Sequence, residues 1–403
     1  MGERFKTSQK HIDLENQYGA RNYRPLDVVI ESGEGVWVTD IDGNTYMDML
    51  SAYSALNQGH RHPKIVAAAQ EQLDRLTLTS RAFRNDQFGS FLEKLSQISG
   101  KEKVLPMNTG AEAVETAIKA ARKWGYKNKE IEKDRARIIT CAGNFHGRTT
   151  TIIGFSTEDQ YKDGFGPFTP GFDTVPYGNV QALRDVITPD TVAFIVEPVQ
   201  GEGGVIIPPE GYLKECEAIC KENNVLLIVD EIQTGLGRTG KMFAFEHEGV
   251  NPDIIIVGKA LSGGIMPISA VLADDEIMQV FTPGDHGSTF GGNPLASAVA
   301  KASLDVLIEE KLPENAQIMG EYFMERLWEM NSPHVKEIRG KGLLIGVEIK
   351  DESGKARDFC EKLKEVGILA KETHDMVVRF APPLIITKKQ VDWAMERIEQ
   401  VFK

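Results

Sequence analysis

Two side chains at the ends of apolar runs stand out for the chemistry they could do together. The run Val225–Val229 ends in Asp230, and the run Ile254–Val257 is followed by Gly258 and Lys259. In an open parallel sheet, ligands bind beyond the carboxyl ends of the strands, so both groups are delivered to the expected site. Read alone, the pair is also a sufficient salt bridge to cap a sheet. A desolvated lysine has a lowered pKa, however, and its free amine is a nucleophile that condenses with an aldehyde.

A third feature lies upstream. Met107-Asn-Thr-Gly110-Ala-Glu-Ala-Val-Glu sits between a short strand-like run and a strong helical pattern over 111–127. Asn108 or Thr109 can cap that helix, Gly110 lets backbone approach a ligand, and the first-turn N–H groups suit a phosphate dianion. A lysine, a carboxylate and a phosphate cradle are what pyridoxal 5'-phosphate requires of a protein. At about 4 Å an aspartate attracts a pyridinium by about 4 kcal/mol at an effective dielectric of about 20. That is enough to keep the ring nitrogen protonated at neutral pH. The cluster His286-Gly-Ser288-Thr289-Phe-Gly-Gly-Asn-Pro adds hydroxyls and pliable backbone, although alone it is simply a loop.

The elements that must position these groups are legible as periodicity. Between about 103 and 273, short β-branched runs alternate with helical or loop segments: KVLPM (103–107), RIITCA (137–142), VAFIVE (192–197), VLLIVD (225–230), DIIIVG (253–258) and ISAVLA (268–273). They are apolar on both faces, which predicts an α/β fold with a mostly parallel central sheet covered by helices. Upstream, 35–40 and 44–50 read as strands around the turn Asp42-Gly43, followed by helices near 63–78 and 86–98. Downstream come helices at 294–310 and 314–331, a strand at 341–349, a helix near 355–366, a strand at 376–380 and a helix at 388–402. The expected division is an N-terminal segment, 1–50, contributing to a smaller α+β domain; a large domain, 51–295; and a C-terminal small domain, 296–403.

Two glycine motifs point elsewhere and fail on their surroundings. Gly235-Leu-Gly237-Arg-Thr-Gly240 matches a dinucleotide fingerprint, as for a nicotinamide oxidoreductase. Residues 230–234 separate it from the apolar run, no regular helix pattern follows, and the acid expected to end the next strand, Asp253, begins it. The overlapping phosphate-loop match lacks the hydroxyl after Lys241, where Met242 stands.

Composition narrows the classes further. The 403 residues carry 46 Lys+Arg and 59 Asp+Glu, a net charge of −13, which argues against a nucleic-acid partner. Hydrophobic residues at 41% and charged residues at 26% fit a globular chain, and no apolar run suits a membrane span. Cys141, Cys216, Cys220 and Cys360 have no zinc-like spacing, and His60, His62 and His286 form no ligand set, so no metal is expected. The first twenty residues contain Glu3, Asp13 and Glu15 and no apolar core, so no export signal or transit peptide is expected in them, and a cytoplasmic setting is.

Taken together, the sequence resembles the class III (fold type I) pyridoxal-phosphate aminotransferases. The resemblance is carried by Ser51–His60, Met107–Ala113, Asn144-Phe-His-Gly-Arg-Thr149, Glu197-Pro-Val-Gln-Gly-Glu202, Asp230–Gly235, Gly258–Gly264, His286–Pro294 and Arg379–Leu384, which span nearly the whole chain in order. It implies that Lys259 holds the cofactor and then shuttles the proton, that Asp230 pairs with the ring nitrogen, that Gln233 meets the ring hydroxyl and that Phe145 stacks on the ring. Gly110 and Ala111 would bind the phosphate through backbone N–H groups, with Ser288 and Thr289 reaching the phosphate of a neighbouring subunit in a homodimer. His146 is expected to position rather than to transfer protons.

Within the class, the resemblance favours the branch that transfers the δ-amino group of L-ornithine to 2-oxoglutarate; donors such as acetylornithine, 4-aminobutyrate or lysine are the alternatives. It implies that Arg148 binds the distant α-carboxylate of ornithine, with Tyr23 at its α-amino group and Tyr53 lining the pocket. Arg379 would receive the α-carboxylate of 2-oxoglutarate. Glu202 would cover that arginine while ornithine reacts, forming a charge gate. Phe290 stands where some relatives have tyrosine.

Overall fold

A computed structural model describes residues 4–403; residues 1–3, among them Glu3 of the expected N-terminal segment, lie outside the described residues. A seven-stranded sheet runs through the centre. Across it the strands are Lys103–Met107, Ser269–Ala273, Ile254–Val257, Leu226–Asp230, Thr191–Val196, Arg137–Cys141 and Phe172–Val175. All neighbours pair in parallel except Ser269–Ala273, which is antiparallel to both of its own.

The β-branched runs form these strands because both sheet faces are covered. Alternate residues of one strand enter opposite cores: Leu227 and Val229 join one cluster, Leu226 and Ile228 the other. Every residue of Thr191–Val196, Leu226–Asp230 and Ile254–Val257 is buried. The helix Gly110–Asn128 packs on one face through Ala113, Val114, Ala117, Ala120 and Ala121, whose small side chains allow close approach.

Two four-stranded sheets flank this body. One joins Ile30–Glu34, Trp37–Asp40 and Thr45–Asp48 to the distant Ile368–Leu369, which pairs in parallel with Thr45–Asp48. The N-terminal strands are thereby sewn to the C-terminal part. The other sheet holds Val335–Lys341, Leu344–Ile349, Val377–Phe380 and Lys371–Thr373. The long helix Pro294–Glu309 lies against the helices Pro63–Leu73 and Phe88–Ser99 and against the Lys259 turn.

Three details differ from the sequence-based expectations. The stretch 341–349 is not one strand: Gly342 turns at φ 55°, so Lys341 closes one strand and Leu344 opens the next. A Cβ at Gly342 would come 2.4 Å from the Thr239 carbonyl carbon, so the turn is pinned by a neighbour far along the chain. The helix from Pro63 stops at Leu73 rather than near 78. The short edge strand Phe172–Val175 is too brief and polar to show as a run.

Candidate active site

A cavity of about 200 Å³ opens at the carboxyl ends of the central strands. Its lining brings together Gly110, Ala111, Phe145, Glu202, Asp230, Gln233 and Lys259, and adds His146, Glu197, Val199 and Ile232. Asp230 is the last residue of its strand, and Lys259 follows the adjacent parallel strand after Gly258. Parallel pairing sets Asp230 level with Ile256, so Lys259 lies just beyond it on the neighbouring strand and both groups line the one cavity.

Asp230 is held firmly. Its Oδ1 accepts the Ile232 N–H at 3.0 Å and its Oδ2 lies 2.6 Å from His146 Nδ1. Burial opposes charge on His146, but the hydrogen bond to Asp230 and the charges of Asp230 and Glu197 outweigh it and raise its pKa. His146 Nε2 has no partner. Glu197 accepts the Phe145 N–H at 3.0 Å, and burial pushes its carboxyl up to about 8. Burial also pulls Lys259 below the ordinary lysine value; among its neighbours, Glu202 works against that shift and Arg379 with it. Its neutral amine is correspondingly more accessible.

Lys259 adopts φ 42°, a left-handed conformation that costs a residue with a side chain roughly 1–2 kcal/mol. The next peptide is clamped from two sides. Gln58 Nε2 and Ser303 Oγ both donate to the Ala260 carbonyl, at 3.2 and 3.0 Å, and Gln58 also bonds Ser303 Oγ at 2.7 Å.

The phosphate cradle is capped by Thr109, not Asn108. Thr109 Oγ1 accepts the Glu112 N–H, while Glu112 Oε2 accepts the N–H groups of Thr109 and Asn108. That capping box leaves the first-turn N–H groups of Gly110 and Ala111 for a ligand. Three observations fit the cavity to pyridoxal phosphate: this open helix start, the lysine and aspartate on adjacent strand ends, and the unpartnered buried Gln233 Oε1. A Cβ at Gly201 would fall 1.5 Å from that same oxygen, so only glycine lets Gln233 occupy its place.

Arg379 reaches the site from the strand Val377–Phe380. Its Nη1 donates to Glu202 Oε1 at 2.6 Å, and Gln233 Nε2 donates to the same oxygen at 3.2 Å. Burial pushes the Glu202 carboxyl up, but Arg379, Lys259 and the hydrogen bonds outweigh it and leave the group below its usual range. The Tyr53 ring lies 5.1 Å from the Arg379 guanidinium.

Other expected site residues stand outside this cavity. Arg148 is stacked on Tyr161 at 3.4 Å and lies 5.4 Å from the Phe145 ring. Tyr23 is 76% exposed and shares a second, largely apolar cavity with Tyr53. Ser288 Oγ accepts from Asn108 Nδ2 at 2.9 Å and from the Gly291 N–H, beside its own chain's cradle, and Thr289 is exposed. Glu197, Tyr161, Gln58 and Ser303 were given no role from sequence. Only Glu197 had a local signal, an acid at a strand's carboxyl end like Asp230. Among the described residues no group of three His, Cys, Asp or Glu side chains forms a metal site, and no helix is long and apolar enough to cross a membrane.

Comparison with known proteins agrees with this geometry. The family model described as Aminotransferase class-III matches residues 18–402. The chain is 62% identical over 391 residues to an ornithine aminotransferase of Geobacillus sp. (strain WCH70), covering 97% of this chain and 98% of that protein. A crystallized ornithine aminotransferase from Toxoplasma gondii, described with partial occupancy of PLP at its active site, superposes with a TM-score of 0.97 at 49% identity, over 100% of this chain and 95% of that one. An acetylornithine aminotransferase from Elizabethkingia anophelis superposes with a TM-score of 0.90 at 48% identity, over 98% of both chains. With a lysine and an aspartate on adjacent strand ends facing a capped phosphate cradle, and a family match over nearly its whole length, this chain belongs to the class III aminotransferases.

Proposed function

We propose that the enzyme moves the δ-amino group of L-ornithine to 2-oxoglutarate, giving L-glutamate 5-semialdehyde, which cyclises, and L-glutamate. The observation that carries this reading is the Arg379–Glu202 pair, whose Glu202 lines the same cavity as Lys259 while Arg379 stands buried behind it. Arg379 Nε and Nη2 are buried and unpartnered, an open edge suited to a bidentate carboxylate. Glu202 occupies Nη1 and neutralises the guanidinium. A donor with its own α-carboxylate is then not drawn to Arg379 by that end, and a terminal amine can face Lys259 instead. A diacid acceptor displaces Glu202 and takes the arginine.

Bound pyridoxal phosphate supplies an electron sink and carries the amino group between the two substrates. Lys259 would hold it, Asp230 would keep a proton on its ring nitrogen, Gln233 would meet its ring hydroxyl, and Gly110 and Ala111 would receive its phosphate. Phe145, which lines the cavity, would cover one face of the ring. Lys259 Nζ, whose charged form is disfavoured by burial, takes the proton from the carbon bearing the substrate amine. His146 fixes the orientation and charge of Asp230. Arg148 and Tyr23 bind the α-carboxylate and α-amino group of ornithine, and Tyr53 lines the path between.

The reading includes a homodimer in which Ser288 and Thr289 complete the neighbour's phosphate site; the exposed Phe83 and Phe290 are apolar surface such an interface would cover. It also includes a large domain over 51–295 with 1–50 and 296–403 forming the smaller one. A cytoplasmic location is supported by four cysteines that are all free and buried.

A donor panel tests the assignment. Ornithine should turn over far faster than acetylornithine or 4-aminobutyrate, with 2-oxoglutarate as acceptor. Preference for acetylornithine would reassign the donor. Borohydride reduction of the yellow holoenzyme should mark Lys259 in a peptide digest, and an unmodified Lys259 would overturn the whole reading.

A further inference from the structure

Ser51, Ala52, Tyr53 and Ser54 have φ values of 51°, 47°, 60° and 72°. With ψ of 50° at Ala52 and 41° at Tyr53, they form a turn of left-handed helix. None of the four is glycine. Single residues with side chains visit this region, but a run of them persists only where the surroundings hold it.

The turn does not hold itself by its own side chains. The hydroxyls of Ser51 and Ser54 are buried and without partners. Asp48 supplies the anchor from just upstream. Its Oδ1 accepts the N–H groups of both Leu50 and Ser51, each at 2.8 Å. Its Oδ2 lies 2.8 Å from His60 Nε2. His60 is fixed in turn by a backbone bridge to Gly35. One carboxylate thus ties the entry of the turn to the segment that follows it.

The turn delivers Tyr53 to the Arg379 guanidinium. We propose that Asp48, braced by His60, is a positioning residue for acceptor binding: it holds the left-handed turn that lays Tyr53 against Arg379. This rests on reading Arg379 as the receiver of the acceptor's α-carboxylate.

The test uses holoenzyme and follows each half-reaction separately by absorbance. Asp48→Ala should raise the KM for 2-oxoglutarate about fivefold, equivalent to about 1 kcal/mol. Tyr53 also lines the ornithine path, so the comparison is made at saturating ornithine, where the rate of that half-reaction should stay within about twofold of wild type. Glycine adopts positive φ without a Cβ penalty. Adding Ala52→Gly to Asp48→Ala should therefore recover most of the lost acceptor affinity. A merely structural role predicts a lower Tm with an unchanged KM, or equal losses in both half-reactions, and either result overturns the proposal. So does a double variant no better than Asp48→Ala. If Asp48→Ala does not fold, Asp48→Asn should give a smaller shift in the same direction, again relieved by Ala52→Gly; no shift, or no relief, overturns it. Arg379→Met run in parallel separates the two levels. An unchanged acceptor KM there sinks the assignment of Arg379, whereas a raised KM there with Asp48→Ala indifferent sinks the role of Asp48 alone.

Discussion

Arg379 and Glu202, 177 residues apart in sequence, meet at 2.6 Å, with one guanidinium nitrogen taken and two left free. The pair is stable enough to neutralise the arginine, yet it leaves an edge on which a carboxylate can land. On the proposed reading, an incoming carboxylate that displaces Glu202 replaces one charge-assisted contact on Arg379 by another, so the buried guanidinium is not left unpaired.

Replacing Glu202 by alanine removes the competitor and frees Arg379 permanently. The ratio of kcat/KM for glutamate as donor to that for ornithine should rise at least about tenfold, about 1.4 kcal/mol of transition-state preference. Steady-state assays with both donors measure it. Equal losses for both would defeat the gate.

Asp230→Asn keeps the shape of the site and removes the charge. The attraction at stake is about 4 kcal/mol, so turnover should fall by roughly a thousandfold. The yellow colour of bound cofactor should remain, because Lys259 is untouched. His146→Gln should lower turnover less, since it weakens only the support of Asp230. Loss of colour in Asp230→Asn would assign that residue to retention of the cofactor rather than to its electronics.

Glu197 gives a pH-dependent prediction of definite sign. Its carboxyl is raised from 4.5 to about 8 by burial, so the fold favours the protonated form. Unfolded chain ionises first, and the fold therefore loses stability as pH rises through the window from 4.5 to about 8. Glutamine has no such penalty and can still accept the Phe145 N–H. The cofactor-free Glu197→Gln protein should melt higher than wild type at neutral and alkaline pH, with the difference vanishing below pH 4.5. Calorimetry across that range checks it, and a constant offset would exclude titration of Glu197 as the cause.

Glu217 carries the opposite sign. Burial raises its carboxyl, but hydrogen bonds from Lys214, Lys221 and the Asn251 N–H outweigh that and lower it from 4.5 to about 2. Its side chain is only 6% exposed. The stability it contributes is present above the unfolded value and lost as pH falls from 4.5 to about 2. Glu217→Gln should destabilise the protein by on the order of 2 kcal/mol at neutral pH, fading through that acid window. Urea unfolding at several pH values decides, and an undiminished difference near pH 2 would remove the ion pairs from the explanation.

Much of the site was readable because its parts lie at the ends of strong local patterns. Asp230 and Lys259 terminate apolar runs, and parallel pairing brings such ends together. The cradle at 107–113 shows in a capping signature followed by a helical period, although choosing Thr109 over Asn108 required the Glu112 contact. The strand expected over 341–349 failed because what breaks it, the approach of Gly342 to Thr239, lies a hundred residues away.

The sequence by itself determined the mostly parallel character of the sheet, the strand ends that bear the lysine and the acid, and the helix start that faces them, since periodicity and capping act over a few residues. Tertiary structure alone decided the left-handed turn at 51–54, where no glycine signals it, the clamp of Gln58 and Ser303 behind Lys259, and the raised carboxyl of Glu197. Strain tolerance, desolvation and charge pairing are set by whatever packs around a residue. Those neighbours come from segments that only the folded chain brings together.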